Sequence, residues 1–260
     1  MKNIPLIGPM PAIGLGTWRL NGKQCEETIK IALDLGYRHI DTADVYENHA
    51  AVGAGIQKFP REKLFLVSKI INDELQPQNV KRACERILKE LNTPYLDLLL
   101  IHWPSKDIPI NDTLEAMSEL IPAHLVKYIG ISNFMKSHLE SIQRDRFHIL
   151  TNQIEMHPFL QEKELVDYCQ KIGVIVTAYR PIAKGIISEN DTLLEIGERY
   201  HKTPVQVALR WFYQKGVVTI PKAGSENHLL ENISIFDFEL SESDMKSISG
   251  LETGMRLVNR

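Results

Sequence analysis

The sequence predicts a closed (β/α)8 TIM barrel with a short N-terminal β-hairpin, and three observations support that fold class. Short apolar runs alternate eight times with longer helical patterns along the 260 residues. Several runs are continuous stretches of Leu, Ile and Val, as expected for parallel strands that are covered on both faces. The runs end in polar residues, and the C-terminal rim of such a barrel carries the active site. Eight units in a chain of this length fit a closed barrel better than an open sheet.

The elements follow one another without interruption. Two short runs, IPLIG and PAIGL at residues 4–8 and 11–15, predict the hairpin. Eight strands then precede their helices in this order: GLGTW before CEETIKIALDLG, YRHIDTA before AAVGAGIQ, KLFLVSKI before PQNVKRACERILKEL, YLDLLLIHWP before NDTLEAMSELI, VKYIGISNF before KSHLESIQR, ILTNQIE before QEKELVDYCQKIG, VIVTAYRP before TLLEIGERYH and VQVALRWFYQKG, and VVTIPKAG before ENHLLENI and SESDMKSISG. No low-complexity linker divides them, so we expect one domain over residues 1–260.

Composition argues against several classes of protein. The net charge is -3 and the sequence pI about 6.3, with no basic block, whereas nucleic-acid binding needs a concentrated cationic face. No apolar run approaches the ~20 residues that span a bilayer, and the start, MKNIPLIGPMP, does not read as a secretory signal. Cys25, Cys84 and Cys169 are far apart and form no CxxC pair, which favours reduced thiols and a cytoplasmic protein.

The polar strand ends are the candidate functional residues. A purely structural barrel has little reason to concentrate polar side chains at one rim. The residues at or just after the predicted strand ends are Asp41, Thr42, Lys69, His102, Trp103, Ser132, Asn133, Gln153, Glu155, Tyr179, Pro221 and Lys222.

Two other kinds of site are disfavoured. The GxGxxG dinucleotide fingerprint fails in GLGTWR, where Arg19 takes the sixth position, and GAGIQK at residue 53 lies within a predicted helix. Ligand-like residues cluster in HIDTADVYENH, but strand 1 lacks the HxH pair of many metal barrels, and His102 is followed by Trp103 and Pro104. We therefore predict no metal, although a metal-dependent hydrolase barrel stays open as an alternative.

Asp41, Tyr46, Lys69 and His102 form a plausible catalytic set. Each lies at the end of strand 2, 3 or 4 or in the loop just after it, so three adjacent strands can direct them to one point. A buried lysine would lower the pKa of a neighbouring tyrosine, and an aspartate would keep the lysine charged. A histidine would orient a substrate oxygen. Such a set is suited to protonating a carbonyl oxygen while hydride arrives at its carbon.

The chain resembles the aldo-keto reductase family over almost its whole length. The matching blocks, in order, are GLGTW, YRHIDTADVYENH, LVSKI, YLDLLLIHWP, LVKYIGISNF, NQIEMHP, TAYRPIAKG and IPKAGSENHLLEN. The chain is most similar to the short bacterial members that reduce keto-sugar acids and 2-oxoaldehydes. The resemblance implies that Asp41, Tyr46, Lys69 and His102 occupy the four catalytic positions, with Tyr46 as the proton donor.

The resemblance also implies a nicotinamide site and a substrate pocket. Ser132, Asn133 and Gln153 would surround the carboxamide, since hydroxyl and amide groups pair with an amide without adding charge. Tyr179 would stack on the ring, and Asp41 also borders the cofactor. The other positions are Gly16 and Thr17 along the cofactor, and Trp18, Val45, Tyr46, His102 and Trp103 around the substrate.

Departures from the family pattern affect the cofactor prediction. Arg180 stands where serine is common; it would pair with the cofactor diphosphate or point outward. Lys222, Glu231 and Asn232 match the adenosine-phosphate segment, but Ala223 replaces a usual serine and His228 a usual arginine. The predicted cofactor is NADPH, with NADH also possible. Ile71 at the rim and the short tail after residue 251 suggest an open mouth.

The sequence thus predicts a monomeric oxidoreductase that reduces small aldehydes and ketones. Its substrates would be 2-oxoaldehydes such as methylglyoxal, or keto-sugar acids. A reductase-like module that senses NADP with little turnover is the main alternative, and the intact set of four catalytic residues weighs against it.

Overall fold

Eight parallel strands line the centre of the fold in the computed structural model, which describes residues 4–258. They hydrogen-bond to one another in chain order. A two-stranded antiparallel hairpin, β1 (Leu6–Ile7) and β2 (Met10–Pro11), precedes them. The barrel strands are β3 (Leu15–Gly16), β4 (His39–Asp41), β5 (Phe65–Ile70), β6 (Leu96–Ile101), β7 (Val126–Ser132), β8 (Ile149–Glu155), β9 (Ile175–Tyr179) and β10 (Val218–Thr219). The predicted hairpin and barrel are both present.

The first and last strand regions meet and close the barrel. Gly14 N–H donates to the carbonyl of Thr219 at 2.8 Å, and Thr219 N–H donates to the carbonyl of Ala12 at 3.0 Å. A Cβ on Gly16 would stand 2.7 Å from the carbonyl oxygen of Ile220, so this close approach requires glycine. The sequence predicted PAIGL as the second hairpin strand, and this prediction is wrong. The backbone of residues 12–14 pairs with β10 to close the barrel instead.

The helices cover the outside of the barrel, and those of the sequence prediction are all present. They are α1 (Gly22–Leu35), α2 (His49–Ile56), α3 (Pro77–Leu91), α4 (Ile110–Ser118), α5 (Lys136–Glu140), α6 (Lys163–Lys171), α7 (Asp191–Tyr200), α8 (Pro204–Gln214), α9 (Glu226–Ile233) and α10 (Glu242–Ser249). Helix α5 is shorter than predicted. The Asn111 side chain binds the Ser141 carbonyl and the Gln143 N–H, both at 3.0 Å, which fastens this segment to α4.

The 3-10 helices among residues 4–258 were not predicted. The longest, at Ala183–Glu189, lies between β9 and α7, and its Ala183 and Lys184 adopt left-handed φ angles of 45° and 56°. No helix among residues 4–258 is both long and apolar enough to cross a membrane.

Strand alternation decides which side chains enter the barrel. On β5, Phe65 and Val67 belong to the cluster that fills the barrel, whereas Leu66 and Ile70 join the core under the helices. Because side chains alternate along a strand, Lys69 continues the inward row. Met10 of the hairpin joins the inner cluster. The inner rows thus run from apolar residues at the hairpin end to polar residues at the C-terminal rim.

Candidate active site

A cavity of about 620 Å³ opens at the C-terminal rim of the barrel. Most of the site residues predicted from the sequence line it: Gly16, Thr17, Trp18, Asp41, Val45, Tyr46, His102, Trp103, Ser132, Asn133, Gln153, Tyr179, Arg180 and Lys222. Lys69 lies beneath its floor, with no exposed side-chain surface. Sequence reasoning missed several further lining residues, which come from loops and from the tail: Arg19, Pro181, Ile182, Lys184, Gly185, Ile220 and Val258.

A buried ion pair forms the floor of the cavity. Lys69 Nζ lies 2.6 Å from Asp41 Oδ1 and also donates to the Thr42 carbonyl at 2.8 Å. Gln153 Nε2 donates to the other carboxylate oxygen of Asp41 at 2.7 Å. Burial lowers the pKa of Lys69, and the charge and hydrogen bond of Asp41 oppose that shift. The aspartate therefore favours the charged form of the lysine.

Tyr46 lies directly above this pair. Its ring centroid is 5.2 Å from Lys69 Nζ, 4.8 Å from the ring of Trp18 and 6.0 Å from that of His102. Burial raises the pKa of Tyr46, Asp41 raises it further, and Arg180 opposes them. The direction is opposite to the predicted lowering by Lys69, because Asp41 already pairs with the lysine and burial dominates. Tyr46 therefore keeps its proton at neutral pH.

His102 is neutral in the same cavity. Burial lowers its pKa to about 3, the charge of Lys69 lowers it further, and Asp44 acts in the opposite sense. The carbonyl of His102 accepts a hydrogen bond of 3.0 Å from Asn133 Nδ2, which links the ends of β6 and β7. A neutral imidazole can donate one ring N–H without carrying charge.

Amide and hydroxyl groups form one side of the cavity. Asn133 adopts a left-handed φ of 65°, and its Oδ1 accepts a hydrogen bond of 2.8 Å from the Tyr179 hydroxyl. Ser132 Oγ donates to the Gln153 carbonyl at 2.9 Å. These bonds join β7, β8 and β9, so the polar groups beside the Tyr179 ring are held by their neighbours.

Arg180 does not point outward. Its guanidinium donates to the carbonyl of Leu257 at 2.9 Å. The buried carboxylate of Glu155 accepts the N–H groups of Leu257 and Val258 at 2.7 and 3.0 Å. The tail is thereby fastened across the end of β8, and Val258 lines the cavity. The short tail thus reaches the cavity wall through Val258, and the open mouth stays a prediction.

The four residues predicted to bind the adenosine phosphate do not all line the cavity. Exposed Lys222 lines the cavity, but the three residues on α9 are not among its lining. His228 is exposed in the first turn, where its N–H donates to Ser225 Oγ at 3.4 Å. Glu231 accepts a hydrogen bond from Thr203, and Asn232 is buried.

The groups around the cavity fit a nicotinamide dinucleotide. Neutral donors and acceptors lie beside an aromatic ring, and the one lining carboxylate, Asp41, is already paired with Lys69. The remaining charged side chains of the lining are cationic, as two or more phosphate groups would require: Arg19, Arg180, Lys184 and Lys222.

A (β/α)8 barrel with this site defines an oxidoreductase that acts on carbonyl groups with a nicotinamide cofactor. The chain belongs to the Aldo/keto reductase family, whose profile matches residues 12–253.

Individual relatives match over most of their length. Glyoxal reductase from Bacillus subtilis (strain 168) is 42% identical over 252 residues, covering 95% of this chain and 91% of the relative. The crystal structure of a putative 2,5-diketo-D-gluconic acid reductase B superposes with a TM-score of 0.92 at 38% identity, covering 96% of this chain and 91% of the other. An aldo-keto reductase from a Medee basin deep-sea metagenome library gives a TM-score of 0.93 at 36% identity, with coverage of 96% and 94%.

The buried pair generates a prediction about stability. Replacing Lys69 by methionine leaves the carboxylate of Asp41 buried without its cation, which typically costs about 3–5 kcal/mol. We expect Lys69→Met to lower the free energy of unfolding by that amount in urea titrations. Lys69→Met/Asp41→Asn should recover most of the loss, because no charge then stays buried. A double variant less stable than Lys69→Met would contradict this account.

The lowered pKa of His102 predicts a dependence of stability on pH. A folded-state pKa of about 3 lies below the reference of about 6.5, so protons bind the unfolded chain more strongly. The stability contribution is present above pH ~6.5 and is lost as pH falls toward 3. Urea unfolding between pH 6 and 5 should show the parent losing up to about 1.4 kcal/mol per pH unit more than His102→Gln. Equal slopes of stability against pH in the parent and in His102→Gln would mean that folding does not lower the pKa of His102.

Proposed function

We propose that this protein reduces small aldehydes and ketones with NADPH, and that Tyr46 donates the proton. The main observation that supports this proposal is that protonated Tyr46 and neutral His102 share one cavity above the Asp41–Lys69 pair. Bound nicotinamide would supply the hydride. The protein groups then have to hold the carbonyl, provide a proton to its oxygen and stabilise the charge that remains.

Each of the four side chains has a separate task in this proposal. His102 donates a hydrogen bond that orients the carbonyl oxygen. Tyr46 transfers its hydroxyl proton to that oxygen and becomes a phenolate. Lys69 stabilises the phenolate because its charge is fixed nearby, and this stabilisation grows only as the negative charge develops. Asp41 keeps Lys69 charged and in place.

The remaining cavity residues would hold the cofactor. We propose that Ser132, Asn133 and Gln153 bind the carboxamide, that Tyr179 stacks on the ring, and that Gly16 and Thr17 border the cofactor with Asp41. Lys222 would face the adenosine phosphate, with His228, Glu231 and Asn232 at the outer end of that segment. The exposed position of Lys222 supports a preference for NADPH, whereas the position of His228 leaves room for NADH.

Small, electrophilic carbonyl compounds are the substrates we favour. Trp18, Val45 and Trp103 present apolar surface around Tyr46 and His102, which suits recognition of the carbonyl end with few remote contacts. The names of two relatives, a glyoxal reductase and a putative diketogluconate reductase, point to 2-oxoaldehydes and keto-sugar acids. A purely regulatory NADP-binding role is less well supported because all four proposed catalytic side chains are present.

All proposed groups come from one chain, so a single domain acting as a monomer is sufficient. The free thiols among the described residues, Cys25, Cys84 and Cys169, are buried. Reduced, unpaired cysteines agree with the cytoplasmic location that we propose.

Tyr46→Phe tests the proposed proton donor. The variant removes only the hydroxyl group that carries the transferable proton, so it should bind NADPH as the parent does. Loss of a general acid typically lowers the rate about 10²- to 10⁴-fold. NADPH oxidation with methylglyoxal measures turnover, and fluorescence titration measures cofactor affinity. Tyr95→Phe, which removes a hydroxyl at the opposite end of the barrel, is the matched control. Turnover of Tyr46→Phe within a few-fold of the parent would rule out the assignment.

His228→Arg tests the proposed phosphate end. If residue 228 faces the 2′-phosphate, a guanidinium there adds a charge-assisted hydrogen bond that NADH cannot use. We expect the ratio of the NADH to the NADPH dissociation constant to rise severalfold, with NADH affinity unchanged. Isothermal titration of both cofactors against parent and variant gives this ratio. An unchanged ratio would show that His228 lies beyond the reach of the phosphate.

A further inference from the structure

The segment that carries Tyr46 is short and has anchors on both sides. Tyr46 ends a 3-10 helix at Asp44–Tyr46, and Glu47 then turns through a left-handed φ of 53°. Helix α2 begins at His49. A 3-10 turn has little hydrogen bonding of its own, so its position depends on the side chains on either side of it.

The anchor before Tyr46 is a bidentate ion pair with α3. Two guanidinium nitrogens of Arg86, Nη1 and Nη2, donate to the two carboxylate oxygens of Asp44, each at 2.7 Å. The Asp44 side chain is only 7% exposed, which lessens screening by solvent. Arg86 also donates to Glu74, which lies between β5 and α3, and to Glu90, one turn further along α3, at 3.4 Å. Paired guanidinium and carboxylate groups fix orientation as well as distance.

After Tyr46, the buried side chain of Asn48 bonds Thr42 and the carbonyls of Thr17 and Leu20, and His49 adds an anchor that uses the same helix, α3. His49 Nδ1 lies 2.8 Å from a carboxylate oxygen of Glu90, and Nε2 lies 2.9 Å from Ser68 Oγ. Ser68 directly precedes Lys69 on β5. His49 therefore joins the start of α2 to α3 and to the strand that carries the lysine. Arg86 and Glu90 are four residues apart, so one face of α3 holds both sides of the Tyr46 segment.

The same atoms raise the possibility of a metal site. Ligand atoms of Asp44, His49 and Glu90 lie within 4.8 Å of one another. However, Arg86 already bonds both oxygens of Asp44, and its positive charge takes the place of a metal cation. The cluster is better explained by what it connects than by an ion.

We propose that Arg86 and Glu90 are positioning residues that fix the hydroxyl of Tyr46 relative to Lys69 and His102. This inference rests on the proposed role of Tyr46. Neither side chain lines the cavity, so both act through the segment that they hold. A small displacement of a reacting group can cost as much as ~10²-fold in rate. Loss of the bidentate pair should therefore reduce turnover without reducing cofactor affinity.

Arg86→Met is the principal test, with Arg82→Met as its matched control. Arg82 lies one turn earlier on α3, is exposed, and contacts Asn79 instead of the Tyr46 segment. With NADPH and methylglyoxal well below the melting temperature, we expect Arg86→Met to lower kcat about 10- to 100-fold. The NADPH dissociation constant should change less than twofold. Arg82→Met should retain the parent kcat, and Arg86→Lys should recover only part of the loss because it lacks the bidentate fork.

Two further variants keep the test decisive. Asp44→Asn breaks the same pair from the other side, and Arg86→Met/Asp44→Asn should lose no more kcat than the worse single variant. Introducing Arg86→Met into Tyr46→Phe should leave the residual rate unchanged. A parent-like kcat in folded Arg86→Met or Asp44→Asn, or an equal loss in Arg82→Met, would overturn the positioning role while leaving Tyr46 as donor. Parent-like turnover in Tyr46→Phe would instead overturn the proposed function, and this inference with it.

Discussion

The ion pair between Asp41 and Lys69 is the interaction on which the site depends. Both side chains are almost wholly buried, so neither charge can be solvated by water, and each has to be compensated by the other. Asp41 ends β4, Lys69 lies near the end of β5, and Gln153 brings β8 to the second carboxylate oxygen. One hydrogen-bonded group thus sets both the relative position of three strands and the location of a fixed positive charge.

The remaining polar groups are arranged around that charge. Tyr46 lies above Lys69, and His102 is kept neutral by burial and by the same ammonium group. A site with one fixed cation and two neutral hydrogen-bonding groups favours negative charge on an oxygen without attracting a second proton to the histidine. In the proposed mechanism, a high pKa for Tyr46 is compatible with proton donation. The tyrosine would be protonated before reaction, and the lysine would act on the anion that forms.

The barrel could be predicted because eight short apolar runs alternate with helical patterns along the chain. Asp41, Lys69, His102 and Gln153 could be predicted as site residues because they lie at the polar ends of those runs. The loops carry no such pattern. Nothing in the local sequence indicates that Asp44 would meet Arg86, 42 residues later. The short length of α5 and the position of Val258 in the cavity wall likewise depend on partners that are distant in the sequence, Asn111 and Glu155.

The residues at the phosphate end of the site are the hardest to predict from the sequence, for a related reason. Lys222 follows a barrel strand, and its approach to the cavity could be expected from the fold. His228 lies on an exposed helix turn, where a side chain has several accessible rotamers. Residue type alone therefore does not determine whether it reaches a ligand.

The hairpin and the apolar inner cluster have a consequence for the movement of protons. Met10 and the inner residues of β5 and β6, among them Val67 and Leu98, fill the barrel below Lys69 and are almost fully buried. The side of the barrel toward the hairpin is thus filled by packed apolar side chains, whereas the cavity lies at the C-terminal rim. If Tyr46 donates its proton as proposed, that proton is replaced through the mouth of this cavity, the same route that substrate and product use. Reprotonation is then tied to product departure, and anything that seals the mouth also interrupts the supply of protons.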